Sequence, residues 1–284
     1  MKVLKKILKV IFSLTIFIIV SLILILTYSK HIEPKLITTK NYDIKSEEDI
    51  KSKDIKVVQF TDVHLGEFYS LSQLEKVVEK INNQNADIVV FTGDLIDKAG
   101  QYKDINKVSS VLEKINANIG KYAVWGNHDY GGGGHAYYED IMTESGFTIL
   151  KNEIVTIPID KNKNMTISGL DEAMLGNPDY NSIINNINDK DFNLLLLHEP
   201  DLVNEFVNSD INLALAGHSH GGQVALPFIG AIVKPAIGEI YTKGFYKIGG
   251  NKKFDIYVNS GIGNTRLAYR FMNIPEITVF DINV

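Results

Sequence analysis

Asp62 and His64 in TDVHLG, Asp94 in TGDLID, Asn127 and His128 in GNHD, His198 in LLLLHEP, and His218 and His220 in AGHSHGGQ all carry donor atoms suited to metal ions. No one of these stretches is diagnostic. A D-x-H triplet recurs by chance, and a lone buried histidine is ordinarily a satisfied core residue. Their joint pattern says more. Most of them follow a short apolar or β-branched run and contain or adjoin glycine, which is how strand ends and turns deliver side chains to one edge of a sheet. Together they read as the ligands of a two-metal hydrolase. Two divalent cations about 3.5–4 Å apart neutralise the oxygens of an anionic ester and lower the pKa of bound water from 15.7 toward about 7. The mixture of imidazole, carboxylate and amide oxygen suits Mn²⁺, Fe, Zn²⁺ or Mg²⁺ better than a soft copper site, without choosing among them.

The elements that must position these side chains begin near residue 55. Ile55 to Phe60 has the composition of a buried strand, Leu71 to Asn82 has helical spacing of apolar residues, and Asp87 to Phe91 is a second strand. Val108 to Ile115 then reads as helix and Tyr122 to Trp125 as strand. This βαβαβ opening predicts a parallel sheet. Further on, 153–158, 165–168, 193–197, 213–216, 254–259 and 277–281 are mostly strands with few long helices between them, and they are expected to form a second sheet packed on the first. On an extended strand end His218 and His220 would point the same way, so one segment would serve both metals.

In order, the D-x-H, GD, GNHD, lone His and GHxH stretches resemble the calcineurin-like metallophosphoesterase superfamily over roughly residues 55 to 284. The endings HEPD, GHSHGGQ and SGIG…R…PEI are most similar to its membrane-anchored bacterial phosphodiesterase subgroup. The resemblance implies an α/β four-layer sandwich, two mixed β-sheets flanked by helices, with the metals at strand ends. It implies that Asp94 bridges two divalent metal ions, with Asp62, His64 and His220 completing one site and Asn127, His198 and His218 the other. His128 is implied to stabilise the transition state or protonate the leaving oxygen, with Asp129 orienting its ring. The competing reading of His128 is a residue that merely holds Asn127. Asp97, Asp171 and Glu199 read equally as surface charges or as partners of the ligands, Tyr241, Tyr246 and Arg270 as lining of a substrate groove or as packing and ion-pairing residues, Asn259 and Ser260 as a loop beyond the metals or a plain turn, and Gly131 to Gly134 as a lid rather than a phosphate cradle.

Ahead of this domain, Lys2, Lys5, Lys6 and Lys9 precede an apolar run from Val10 to Tyr28. At 1.5 Å per residue that run reaches roughly 28 Å, the thickness of a bilayer core. The lysines are expected to stay in the cytoplasm and the domain to lie outside the cell membrane on a single-pass anchor. A cleaved signal peptide is the rival, but the run is long for one and no small-x-small cleavage site follows. The expected division is therefore 1–29 basic tip and anchor, 30–54 linker, and 55–284 metallophosphoesterase domain.

The chain has 284 residues, no cysteine and a formal net charge of −5. Disulfides, thiolate metal sites and a cysteine nucleophile are excluded, and without a cluster of Lys and Arg in the part after the apolar run no nucleic-acid partner is expected. The sequence thus points to a metal-dependent phosphohydrolase acting on a phosphodiester or pyrophosphate, with a phosphate ester of the membrane or envelope, lipid-linked or free, as the expected substrate. A phosphomonoesterase or nucleotide phosphohydrolase is the alternative, and a non-catalytic metal-binding envelope protein is the other class.

Overall fold

The apolar run at the front becomes one long helix, α1 (Lys2–His31), because it contains neither Pro nor Gly to interrupt it. Nearly all its side chains face outward, and only its last turn meets the rest of the protein, at buried Ser29. The computed structural model describes residues 1–45, 53–160, 163–250 and 252–284.

After α1 come β1 (Thr38–Ile44), β2 (Asp54–Phe60), α2 (Leu71–Asn82), β3 (Ile88–Phe91), α3 (Val108–Leu112), β4 (Gly120–Ala123), α4 (Asn127–Tyr130), α5 (Tyr138–Glu144) and β5 (Phe147–Ile149). The second half supplies β6 (Glu153–Asp160), β7 (Lys163–Gly169), α6 (Tyr180–Ile184), β8 (Phe192–Leu196), β9 (Leu213–Ala216), a small hairpin of β10 (Ala225–Leu226) and β11 (Gly230–Ala231), then β12 (Gly244–Gly249), β13 (Lys253–Val258) and β14 (Glu276–Asn283). Two mixed six-stranded sheets result, in the orders β1-β14-β2-β3-β4-β5 and β12-β13-β9-β8-β7-β6. Strands β2 to β5 are mutually parallel, as are β7, β8, β9 and β13.

Alternation along the strands sorts side chains into layers. In β2, Ile55 and Val57 face the second sheet and meet Met165, Ile167, Leu194 and Leu213, while Val58 and Phe60 face α2, α3 and α5. In β8, Leu194 and Leu196 face inward while Leu195 packs outward with Ile183, Val203 and Phe206. Helix, sheet, sheet, helix is the four-layer α/β sandwich expected from the resemblance. α2 shows how local chemistry fixes an element: Ser70 and Gln73 form a capping box, and Leu74, Val77, Val78 and Ile81 bury one face.

Two placements differ from the sequence reading. Thr38–Ile44 lies within the span assigned to the 30–54 linker, yet it pairs in parallel with Glu276–Ile282 as the sheet's edge, sending Tyr42 and Ile44 against the inter-sheet core. Residues 46–52 of that linker lie outside the described residues. β14 joins the first sheet, antiparallel to β2, and not the second. It is buried on both faces, with Ile277 and Val279 on the helix side and Phe280 and Ile282 between the sheets, which only an interior position satisfies.

Candidate metal centre

All five motif stretches leave the carboxyl ends of parallel strands: Asp62 and His64 follow β2, Asp94 follows β3, Asn127 follows β4, His198 follows β8, and His218 and His220 follow β9. The backbone there is unusual. Asp62, His64, Asp94, His218 and His220 all have φ between 46° and 65°, a left-handed conformation that costs a residue with a Cβ about 1 kcal/mol or more. His218 and His220 therefore do not project from an extended strand end as the sequence reading has it; β9 stops at Ala216 and the two rings go to different neighbours. Gly93 shows how tightly the turns are packed. A Cβ on it would lie 2.5 Å from His198 Nδ1, and its φ of +95° suits glycine.

The side chains gather into two buried groups. Donor atoms of Asp62, His64 and His220 lie within 4.8 Å of one another, as do those of Asp94, His198 and His218. In the first, His64 Nε2 is 2.9 Å from His220 Nε2, which is 3.3 Å from Asp62 Oδ1. In the second, His218 Nδ1 is 3.2 Å from His198 Nε2. Asp94 joins them. Its Oδ2 is 3.4 Å from His64 Nε2 and 3.3 Å from His198 Nε2, while its Oδ1 accepts the His128 backbone N–H at 2.8 Å. The Asp62 carboxylate also accepts the His218 backbone N–H at 3.0 Å, tying the two loops together.

The donor set fits cations. His198 donates Nδ1–H to the Thr92 carbonyl at 2.7 Å and His218 donates Nε2–H to the Ala236 carbonyl at 2.9 Å. With both rings neutral their facing nitrogens are both lone pairs, an arrangement that a shared positive charge, whether a proton or a metal ion, stabilises. Asn127 Oδ1 is buried and accepts no hydrogen bond from the described residues. Charge balance agrees. Burial opposes ionisation of Asp94, but His198, His128 and His64 outweigh it and hold the carboxyl well below the usual carboxylate range. Burial likewise opposes charge on His64, yet Asp62, Asp97 and Asp94 push it up to about 9. Buried carboxylates here demand compensating cations from their surroundings.

His128 lies beside both groups, its ring edge-on to His64 at 4.7 Å between centroids, and its side chain is partly open to solvent. Asp129 does not orient that ring. It sits in the first turn of α4, where its buried carboxylate accepts the backbone N–H groups of Asp94, Leu95 and Gly126 at 2.8, 2.9 and 2.9 Å. It clamps the Asp94 turn to the Asn127 turn. Burial and the neighbouring Asp94 push its carboxyl up to about 7, against the pull of those three donors. Asp97 takes the place expected of Asp129: its carbonyl accepts His128 Nδ1–H at 2.9 Å, and its Oδ1 lies 3.4 Å from His128 Nδ1 and 3.6 Å from His64 Nδ1. The available signal was its position three residues after Asp94 on one short loop.

Arg270 lines no groove. It is fully buried and donates to the carbonyls of Ser260 and Asn273 and to Asn264 Oδ1, with Nη2 3.4 Å from His220 Nδ1. The Gly131–Gly134 turn is bonded to the Asp97 loop through Gly100 N–H and the Gly132 carbonyl at 3.0 Å.

The sequence profile of the calcineurin-like phosphoesterases matches residues 55–222. A Bacillus subtilis protein described as the uncharacterized metallophosphoesterase YkuE is 43% identical over 254 residues, 89% of this chain and 88% of that one. An uncharacterized metallophosphoesterase of Aquifex aeolicus is 30% identical over 258 residues, 89% of this chain and 94% of that one. Among solved structures, a purple acid phosphatase from yellow lupin seeds aligns with 82% of this chain and 55% of its own, at 13% identity and a TM-score of 0.48. The chain belongs to the calcineurin-like phosphoesterase family and is a metal-dependent phosphoester hydrolase.

Proposed function

We propose that this protein is a membrane-anchored, binuclear phosphohydrolase that cleaves phosphodiesters or pyrophosphates of the membrane or cell envelope. The observation that carries the binuclear reading is the place of Asp94 Oδ2, within 3.4 Å of a histidine nitrogen of each group. A single oxygen so placed can serve two cations. Asp62, His64 and His220 would hold one, and Asn127, His198 and His218 the other. When bound, two such cations would supply positive charge to the phosphoryl oxygens and would acidify a water toward neutral pH.

The protein's own groups do the rest. His128 Nδ1–H is held by the Asp97 carbonyl, so its Nε2 is the nitrogen free to meet substrate. In the protonated form that nitrogen donates to the leaving oxygen as the ester bond breaks, and Asp97 Oδ1 stabilises the imidazolium. Asp129 keeps the His128 turn and the Asp94 turn in fixed relation by accepting from both.

The anchor reading rests on α1, long and apolar enough to cross a membrane, and on the four lysines before it, which favour a cytoplasmic N-terminus and an external domain. An anchored active site meets membrane substrates at high local concentration, which favours a lipid-linked phosphate.

Metal analysis of the full-length protein in detergent, with turnover measured on monoester, diester, pyrophosphate and phospholipid substrates, tests the reading. Two cations per chain and preference for diester or pyrophosphate are expected. One cation would remove the binuclear mechanism, and a monoester preference would remove the substrate class. A reporter fused at Val284 is expected to be active only in its exported form; an active cytoplasmic reporter would reverse the orientation.

A further inference from the structure

Among the described residues outside the N-terminal segment, the two most exposed large apolar side chains are Phe228 and Ile229. They form the tip of the β10–β11 hairpin, whose turn is closed by Ile229 N–H to the Leu226 carbonyl at 3.2 Å. Ile232 and Val233, just beyond β11, are exposed as well. A patch of this kind in water is unfavourable unless something apolar covers it. The backbone adds to the anomaly. Phe228 follows Pro227 at the centre of the turn with φ of 66°, where glycine or asparagine would sit without strain. The turn thus holds a large ring outward at a conformational cost.

The position of the hairpin says what covers it. Its first strand begins at Ala225, whose N–H bonds the Phe271 carbonyl at 2.9 Å, and the preceding Val224 bridges to Phe271. One residue earlier, Arg270 N–H bonds the carbonyl of Ser29, in the last turn of α1, at 2.9 Å. The hairpin therefore starts two residues from the contact at which α1 leaves its membrane-spanning stretch, and its tip is about 10 Å of extended chain farther on. The neighbouring loop also exposes Leu267 and Met272. Lys30 stands 5.9 Å over the Tyr269 ring, and Lys234 and Arg266 are the sequence neighbours of Val233 and Leu267. Apolar side chains bordered by tyrosine and basic residues are the composition of a surface that rests in a bilayer interface.

We propose that the Leu226–Val233 hairpin is a second membrane contact, inserted into the interface of the leaflet from which α1 emerges. The proposal rests on the reading of α1 as an anchor. With two contacts the domain lies on the bilayer in one orientation instead of swinging on a tether. That orientation concerns the metal centre directly. The chain after the hairpin supplies the Ala236 carbonyl to His218 Nε2–H, and Glu33, just beyond α1, accepts the N–H of Asn273, whose side-chain amide in turn donates to the His220 carbonyl. Segments adjoining both proposed contacts are thus joined by one or two hydrogen bonds to candidate ligands.

The test uses the full chain in nanodiscs with and without brominated acyl chains. Trp125 is the only tryptophan and is buried, so Phe228→Trp adds one reporter. Its emission is expected to be quenched by brominated lipid and not by aqueous iodide, whereas Ile119→Trp, just before β4 at the opposite end of its strand from Asn127, shows the reverse. Turnover of a soluble aryl phosphodiester serves as the folding control, and Ile229→Trp replaces the first variant if that control fails. Phe228→Asp combined with Ile229→Asp is expected to keep soluble turnover and to lose about tenfold or more on a phosphodiester embedded in the bilayer. Iodide quenching without lipid quenching at both tip positions overturns the proposal. Lipid quenching without hydrolysis of any bilayer phosphate leaves the contact established and removes the lipid-substrate reading instead. A wild-type chain that leaves the disc removes both.

Discussion

The two buried groups differ in what lies behind their histidines. Around Asp94, His198 and His218, each ring is fixed by a main-chain carbonyl, from Thr92 and Ala236. Around Asp62, His64 and His220, the ring nitrogens facing away from the group meet charged side chains: Asp97 behind His64 at 3.6 Å and Arg270 behind His220 at 3.4 Å. A carbonyl fixes a tautomer and leaves the ring a plain neutral donor. A carboxylate makes its ring a stronger donor, and a guanidinium makes its ring a weaker one. On the proposed ligand set, the second group is a rigid site of fixed affinity. The first is tuned by side chains that substitution can change.

Asp94 spans both groups, so breaking it gives the largest expected effect. Asp94→Asn removes a negative charge common to both sites, and activity is expected to fall by at least about 10³, the several kcal/mol that metal charge contributes. Both cations should be lost together in elemental analysis of the folded variant. Two retained metals with undiminished turnover would take Asp94 out of the bridging position and end the contrast between two linked sites. His128→Ala comes next. It should keep both metals and lower kcat by about 10²–10⁴, with a smaller defect on an activated aryl diester, whose leaving oxygen needs little protonation. Equal defects on aryl and alkyl diesters would favour charge stabilisation of the phosphoryl oxygens. Metal loss on His128→Ala would make it a support for Asn127.

Much of the site was legible because its residues follow strands whose own sequences are unmistakable. DIKVVQF, IVVF and LALA declare buried strands, and the ligand types come within a few residues of their ends. Edge strand β1 was not legible, because TTKNYDI is mostly polar and only Tyr42 and Ile44 reach the core. Its pairing with β14 joins residues more than 230 positions apart, and no local pattern encodes that. The left-handed backbone at five candidate ligands was equally hidden. Asp and His enter that region more readily than most residues, but too rarely for their identity to mark it; the packing of neighbouring loops selects it. Asp129 misled for a related reason. Adjacency to His128 suggested contact, but a helical first turn directs its carboxylate at backbone N–H groups.

Asp97→Asn sharpens the difference between the groups. It removes the carboxylate behind His64 while leaving the carbonyl that holds His128 Nδ1–H. Loss of such a partner ordinarily weakens metal affinity by about 10–100-fold, and here only the first group should feel it. Metal titration of the stripped variant is expected to become biphasic, one cation binding as in wild type and the other later. Uniform weakening of both would show that the groups respond as one unit, and no change would leave Asp97 with His128 alone.

The smallest effect is expected where the first group meets the end of α1. Glu33 is buried and accepts the Asn273 N–H, while the Asn273 amide donates to the His220 carbonyl and Lys243 donates to Asn273 Oδ1. Glu33→Gln keeps an oxygen for the Asn273 N–H but removes the charge, so the loss should be of the order of 1 kcal/mol, the difference between a charged and a neutral hydrogen bond. Tm should fall by a few degrees at most. Because the Asn273 amide positions the His220 main chain, Glu33→Gln added to Asp97→Asn should shift only the later phase of the biphasic metal titration, by a fewfold. A shift confined to the earlier phase would reverse the assignment of which group is adjustable. A Tm loss with both phases unmoved would make Glu33 a support for the α1 junction alone.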